Sequence, residues 1–295
     1  MLSFDDPSNG RILDRRLIAA RPDLAAAALR GKVEAARFVE GWRRRVVEGA
    51  APLRRSPAPS AALETEALYG ETMIVYEESD GWAWAQLERD AYVGFVPVGA
   101  LGAPDEPTHR LAALRSFAYP GPSVRLPPIL TLSLGARLAI LAIQGDFATT
   151  ADGLHVYARH LAPLEAKEAD FVAVAERFLE APYLWGGRTS QGIDCSGLVQ
   201  TALAEAGLEA PRDSDMMEAW LGAPIGFDEA LDNLQRGDLV FWKGHVGVMR
   251  DGKRLLHANG WHMKVVSEPL RVARDRINDK AYGPITSIHR LPSAA

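Results

Sequence analysis

The sequence predicts an α+β domain, a helix packed on an antiparallel sheet, preceded by one or two small β-barrels. Three observations carry this expectation. Cys195, Leu198, Val199, Ala202, Leu203 and Ala206 recur at helical spacing and make one continuous face, closed by Gly207. Three β-like runs follow, residues 238–242, 245–249 and 254–258, the last two joined through Asp251-Gly252, a strong hairpin signal. Far upstream, residues 72–76, 82–87 and 92–96 form short β-like runs broken by Asp80-Gly81 and Arg89-Asp90.

At 295 residues and 47% hydrophobic, the chain can bury a sizeable core and exceeds the usual single-domain size, so two or three domains are expected. Residues 1–60 read as an N-terminal helix and a linker. The alanine-rich stretch 23–40, with Leu24, Ala28, Leu29 and Val33, predicts the helix, and Gly41 stops it. Five Arg and three Pro (Pro52, Pro57 and Pro59) within 43–60 predict a solvated linker free to wrap another domain. Residues 61–104 then hold the first barrel. A second such unit over 105–164 takes 130–134, 137–143 and 153–157 as strands. From 165 to 295 comes the catalytic domain, whose first helix is announced by Phe171, Val174, Ala175 and Phe178 and ends before Pro182.

The formal net charge of -5, from 33 Lys+Arg against 38 Asp+Glu, provides no broad basic field for nucleic acid or anionic lipid. A small polar ligand suits the chain better. The first residues, MLSFDDPS, lack the basic and apolar regions of a secretory signal, and no window nears the ~20 apolar residues that span a bilayer. The expected compartment is therefore the cytoplasm, with no membrane partner. A single cysteine excludes an intramolecular disulfide framework, and without paired Cys or His at short spacing no metal or cofactor is expected. That cysteine is either inert filler or a nucleophile.

With Asp194 as N-cap, Cys195 takes the first helical position, where unpaired amides and the helix dipole stabilise a thiolate. The adjacent Asp194 carboxylate opposes this, so a cationic partner is required. Two histidines stand on expected strands, His245 in Gly244-His245-Val246-Gly247 and His257 in Leu255-Leu256-His257-Ala258. His245, Gly247 and Met249 share a strand face, and the small Gly247 leaves room for a helix end. His245 is accordingly the expected general base, with His257 on the next strand as its orienting partner. Taken singly, a cysteine on an apolar helix face is as a rule a packing residue, and a lone histidine an ordinary one. Their conjunction favours nucleophilic catalysis of papain-like design.

The stretches Pro182-Tyr183-Leu184-Trp185-Gly186-Gly187, Gly192-Ile193-Asp194-Cys195-Ser196-Gly197-Leu198-Val199 and Gly237-Asp238-Leu239-Val240-Phe241-Trp242 leading into Gly244-His245-Val246-Gly247 resemble the NlpC-type (NlpC and p-sixty) cell-wall cysteine peptidases. The resemblance runs from residue 165 to about 292. Asp80-Gly81-Trp82 through Gly94-Phe95-Val96-Pro97 resembles the bacterial SH3-like domains that accompany cell-wall hydrolases. The combination is similar to the γ-D-glutamyl-L-diamino acid endopeptidases of dipeptidyl-peptidase VI type. It implies a papain-like catalytic domain in which Cys195 attacks, His245 shuttles the proton and His257 orients it. It also implies an oxyanion held by the Cys195 N–H and the Tyr183 hydroxyl.

The implied substrate is a cell-wall-derived peptide, L-Ala-γ-D-Glu linked to a diamino acid, with a free L-Ala amine and the cut after D-Glu. Asp194 and Ser196 match the positions that hold this amine, and Tyr92 matches a tyrosine with which the SH3-like domain closes that end. Glu66 or Glu71 stands for the accompanying acid, which is left open. Trp185 and Gly186 join the substrate-binding set, although Gly186 and Gly187 equally suit a loop that needs positive φ. Arg212 is expected to pair with a substrate carboxylate or with Asp213, or to act as a helix-cap or surface ion pair. The absent leader suggests recycling of imported fragments. Two rival readings stand beside the peptidase: an acyltransferase or amidase of the same Cys-His fold, and a catalytically idle wall-binding protein. The oligomeric state is not legible.

Overall fold

The structure, a computed structural model, describes residues 14–292. The chain divides between Ala166 and Lys167 into two compact units.

The first unit is all β. A short parallel pair, β1 (Leu24–Ala26) and β2 (Arg37–Val39), opens it, with a single 3-10 turn at Ala27–Leu29 between. No helix stands in 23–40, contrary to the expectation. The small side chains serve tertiary packing: Leu24 and Ala26 are buried against Trp84, and the Arg21 guanidinium lies 4.4 Å from the Trp84 ring centre. Contact with that ring outweighs the intrinsic helix preference of alanine, which is worth under ~1 kcal/mol per residue.

The first barrel is a seven-stranded antiparallel sheet of β3 (Trp42–Val46), β4 (Ala50–Arg54), β5 (Leu63–Leu68), β6 (Thr72–Ser79), β7 (Trp82–Leu87), β8 (Val93–Pro97) and β9 (Leu101–Gly102). Its spatial order is β5-β4-β8-β7-β6-β3-β9. Two of these strands lie inside the stretch expected to be a linker. Pro52 is tolerated in β4 because that strand is flanked by β5 along its length but meets β8 only where Arg54 faces Phe95. Nor is the basic run wholly solvated, since buried Arg45 pairs with Asp105 at 3.1 Å and Asp152 at 3.2 Å.

The second barrel joins β10 (His109–Leu111), β13 (Arg137–Leu138) and β17 (Leu161–Pro163) in one sheet. A five-stranded sheet completes it, with β11 (Arg115–Tyr119), β12 (Leu130–Ser133), β14 (Ile140–Gln144), β15 (Phe147–Thr150) and β16 (His155–Tyr157). Leu111, Leu132, Leu138 and Val156 fill its core.

The second unit is α+β. Helix α1 (Phe171–Glu176) is capped by Asp170, whose side chain accepts from the Val172 and Ala173 amides. The hairpin β18 (Arg188–Thr189) and β19 (Gly192–Ile193) leads into α2 (Cys195–Glu205), and α3 (Ser214–Trp220) follows. The sheet contains β20 (Ala223–Pro224), β21 (Leu239–Trp242), β22 (His245–Met249), β23 (Arg254–Asn259), β24 (Lys264–Pro269) and β25 (Ser287–Arg290). Its order is β20-β25-β21-β22-β23-β24, antiparallel throughout. Helix α4 (Leu270–Lys280) packs over β23 and β24. Because α2 packs on β22 and β23, nearly all of its residues are buried, and its N-terminus is held against the strand that carries His245. Among the described residues no helix is long and apolar enough to cross a membrane.

Candidate active site

Asp194 builds the nucleophile's seat. Its Oδ1 accepts from the Gly197 amide at 2.6 Å, capping α2, while Oδ2 accepts from the Gly186 amide at 2.8 Å. Gly186 has φ +77°, which a side chain rarely adopts, so this glycine serves the turn that brings its amide to Asp194. Arg212, 1% exposed, forks onto the same carboxylate at 3.0 and 2.7 Å and donates to Ser196 Oγ at 2.8 Å. The expectation of a surface ion pair is thus corrected, since Arg212 is buried. Its guanidinium forks onto Asp194, so a positive charge beside that carboxylate is supplied from within the protein. The reason is topological: the chain before α3 returns beneath the start of α2.

Cys195 begins α2 and is buried. Burial and then the Asp194 charge push its thiol up to about 12. The Val246 and Ser196 amides, which bond the sulfur, and the Arg212 charge pull the other way. The Val246 contact sets the sulfur beside β22. Burial, with His257 and Arg276 adding to it, depresses His245 well below the ordinary imidazole range, while Glu268 opposes. Both directions favour a neutral thiol beside a neutral imidazole at rest. An arrangement of this kind suits transfer of the thiol proton during a reaction better than a preformed ion pair.

The histidines are joined. His245 Nε2 lies 2.9 Å from His257 Nδ1, and His257 Nε2 lies 2.8 Å from Glu268 Oε1. Register explains the geometry. Met249 opposes Leu255 and Val248 opposes Leu256, so the ladder continued brings Gly247 opposite His257, with His245 two residues along on the same face. His257 opposes Val266, which puts Glu268 one diagonal step further on β24. The relay therefore crosses three strands obliquely. Gly247 makes room for it in a way that differs from the expectation. A Cβ there would meet Leu255 Cδ1 at 2.8 Å and His257 Cβ at 3.1 Å, so the space is filled by the neighbouring strand and not by a helix end.

Glu268 decides the tautomers. Burial alone would raise its pKa, but hydrogen bonds from Arg276 (2.5 and 2.6 Å) and His257 hold it at about 2. An ionised carboxylate at 2.8 Å demands a proton on His257 Nε2. The Asn259 amide nitrogen, 3.0 Å from the same atom, is neutral, and its Oδ1 is committed to the His262 amide. His257 Nδ1 is then an acceptor, His245 Nε2 carries the proton, and His245 Nδ1 is left as the base.

Tyr183 is half-buried. Burial and then Cys195 raise its phenol above the ordinary range, so it stays a neutral donor close to the sulfur. Trp185, 64% exposed, stands on the surface of the same loop. Tyr92, in the first unit, packs in the core of its barrel at 2% exposure. Glu71 there is occupied by the Leu68 amide and Arg89. Sequence reasoning missed Glu268, Arg276 and Tyr282, whose ring stacks on His245. The β-branched pair Val265-Val266 is a local strand signal beside Glu268.

The profile of the NlpC/P60 family matches residues 180–278, and that of the bacterial dipeptidyl-peptidase Sh3 domain matches residues 53–101. Dipeptidyl-peptidase 6 of Lysinibacillus sphaericus is 35% identical over 102 residues, 35% of this chain and 36% of that protein. A γ-D-glutamyl-L-lysine dipeptidyl-peptidase of Bacillus cereus is 25% identical over 205 residues, 61% of this chain and 60% of that one. The chain thus spans between about a quarter and three fifths of the curated relatives it matches. The crystal structure of an NlpC/P60 family protein from Bacillus cereus superposes with TM-score 0.70 at 21% identity, covering 85% of this chain and 100% of that one. That likeness is one of fold.

Proposed function

The chain carries a domain of the NlpC/P60 cysteine peptidase family behind a bacterial dipeptidyl-peptidase SH3 domain, and from that premise we propose that it hydrolyses stem peptides of peptidoglycan. The observation that carries the proposal is the connected series His245, His257 and Glu268 beside a cysteine at a helix N-terminus. Such a series suits acyl transfer through a thioester and gives a merely binding protein nothing. Cys195 Sγ attacks the γ-carbonyl carbon of D-Glu while His245 Nδ1 takes the thiol proton. The oxyanion is held by the Cys195 amide and the Tyr183 hydroxyl. Collapse returns the proton to the departing diamino-acid amine, and water releases L-Ala-γ-D-Glu from the sulfur.

The finer proposal is a requirement for a free L-Ala amine, which two relatives named γ-D-glutamyl-L-lysine dipeptidyl-peptidase support. In intact wall that nitrogen is acylated by the glycan's lactyl group. A free-amine substrate therefore exists only after an amide hydrolysis has released the peptide, which supports a role in the breakdown of released fragments, as in recycling. An ammonium bound at Asp194 and Ser196 shares that carboxylate with Arg212.

Incubation with L-Ala-γ-D-Glu-diaminopimelate and its lysine counterpart, read by mass, tests both levels. Release of L-Ala-γ-D-Glu, lost in Cys195→Ala and on N-acetylation of the substrate, is expected. Cleavage of the acetylated peptide overturns the amine requirement, and no cleavage of any of these peptides overturns the activity.

A further inference from the structure

Tyr282 lies outside the residues that the NlpC/P60 profile matches, in the segment that follows α4. Its ring stacks on the His245 imidazole with centroids 5.5 Å apart and planes 8° from parallel. The Tyr282 amide bonds the Ile277 carbonyl at 3.1 Å, as the Ala281 amide does, so the ring's position is tied to the last turn of α4. It is 40% exposed, whereas His245 beneath it is 3% exposed. Trp242 flanks His245 at 5.6 Å, tilted by 44°.

We propose that Tyr282 is a positioning residue for His245 whose aromatic face, not its hydroxyl, stabilises the imidazolium that forms when Cys195 gives up its proton. The inference rests on the reading of Cys195 and His245 as nucleophile and base. A cation within ~6 Å of an aromatic centroid is attracted to the ring's negative face, most strongly where water is excluded. The other charged or titratable groups facing His245 do not supply this fully. Cys195 on α2 hands its negative charge to the carbonyl oxygen as it attacks and so leaves no counter-charge on the sulfur, and His257 on β23 gives only a neutral acceptor. Glu268 on β24 acts through His257 and is largely neutralised by Arg276 on α4. The buried imidazolium thus depends on the polarisable ring laid flat against it. Burial and the nearby sulfur keep the Tyr282 phenol neutral, so the ring carries no competing charge.

Two readouts test this on the full chain, the rate at which Cys195 is alkylated by iodoacetamide at fixed pH and the kcat for the stem peptide. Y282L is expected to lower both by about 3- to 30-fold, corresponding to a cation–π contact of ordinary strength, with KM little changed. Y282F is expected to stay within about twofold, since the ring remains. Equal losses in Y282F and Y282L assign the effect to the hydroxyl and overturn the proposal, as does wild-type behaviour in Y282L. If Y282L does not fold, Tyr282→Gln at the same exposed position gives the same reading. Should the peptide resist cleavage while Y282L still slows alkylation, the proposed substrate fails and the role of Tyr282 stands. Cys195 inert to alkylation at every pH defeats both.

Discussion

Arg212 and Asp194 form a buried, two-pronged ion pair, Nη1 to Oδ1 at 3.0 Å and Nη2 to Oδ2 at 2.7 Å, immediately before the nucleophile. Desolvating both charges is costly, so the pair is not by itself a source of stability; what it secures is orientation and charge balance next to the sulfur. Arg212→Ala leaves an uncompensated carboxylate at the cap of α2 and is expected to cost about 3–5 kcal/mol in denaturant unfolding. Arg212→Lys keeps the charge but loses the fork and is expected to fall between the two. Wild-type stability in the alanine variant removes the pair from this role.

The raised thiol and the depressed imidazole both point toward neutral forms in the resting site. With the thiol pushed up to about 12 by burial and Asp194, its alkylation rate is expected to climb without levelling through pH 9, the ordinary thiol value. With His245 depressed below 6.5 by burial, the acid limb of kcat/KM is expected below the usual imidazole range. An alkylation plateau beginning below pH 8 contradicts this and indicates a preformed ion pair.

Glu268→Gln keeps the shape of the relay but lets the amide present either group to His257 Nε2, so the tautomer chain is no longer dictated. A drop in kcat of at least about tenfold is expected, short of the ~10⁴-fold seen where a directly orienting carboxylate is neutralised. Proton NMR of the imidazole N–H signals checks the cause. Unchanged tautomers with unchanged kcat exclude Glu268 from the relay.

The same carboxylate links stability to acid. Its folded pKa, lowered from 4.5 to about 2 against the opposing effect of burial, means that it contributes stability above the unfolded value and loses it as pH falls through the folded one. The stability difference between wild type and Glu268→Gln is expected to be constant above about pH 5 and to shrink toward pH 2. Thermal unfolding across that window gives the answer, and a pH-independent difference counts against the assignment.

Gly247→Ala tests the packing beneath the relay. The added methyl meets Leu255 and His257 side-chain atoms at 2.8–3.1 Å on a buried face. Overpacking of this kind is expected to cost about 1–3 kcal/mol and to lower kcat by displacing His257. A stable variant with normal kcat shows that β23 can yield.

Much of this protein was legible in its residues one segment at a time. Helix α2, strands β21 to β23 and the hairpin at Asp251 follow from spacing, because each is a local pattern of apolar side chains and turn residues. The placement of Cys195 at a helix start and of His245 and His257 on strands was legible the same way, since such positions constrain where a side chain points. What depended on tertiary contact was not legible. Residues 24–26 have helical composition but become strand through packing on Trp84. The prolines at 52–59 read as a break, yet β4 accommodates Pro52 where β5 alone lies alongside most of its length.

The sequence by itself determined the α+β unit and the helix and strands that carry Cys195, His245 and His257, because those depend on neighbours a few residues away. Only the tertiary structure decided who neutralises Asp194, which atom of His245 is the base and what covers it. Those answers come from Arg212, Glu268 and Tyr282, which lie 18, 11 and 37 residues from Asp194, His257 and His245, and are brought to them by a returning loop, a diagonal register and the end of a helix. Electrostatics acts through space, and sequence separation does not report it.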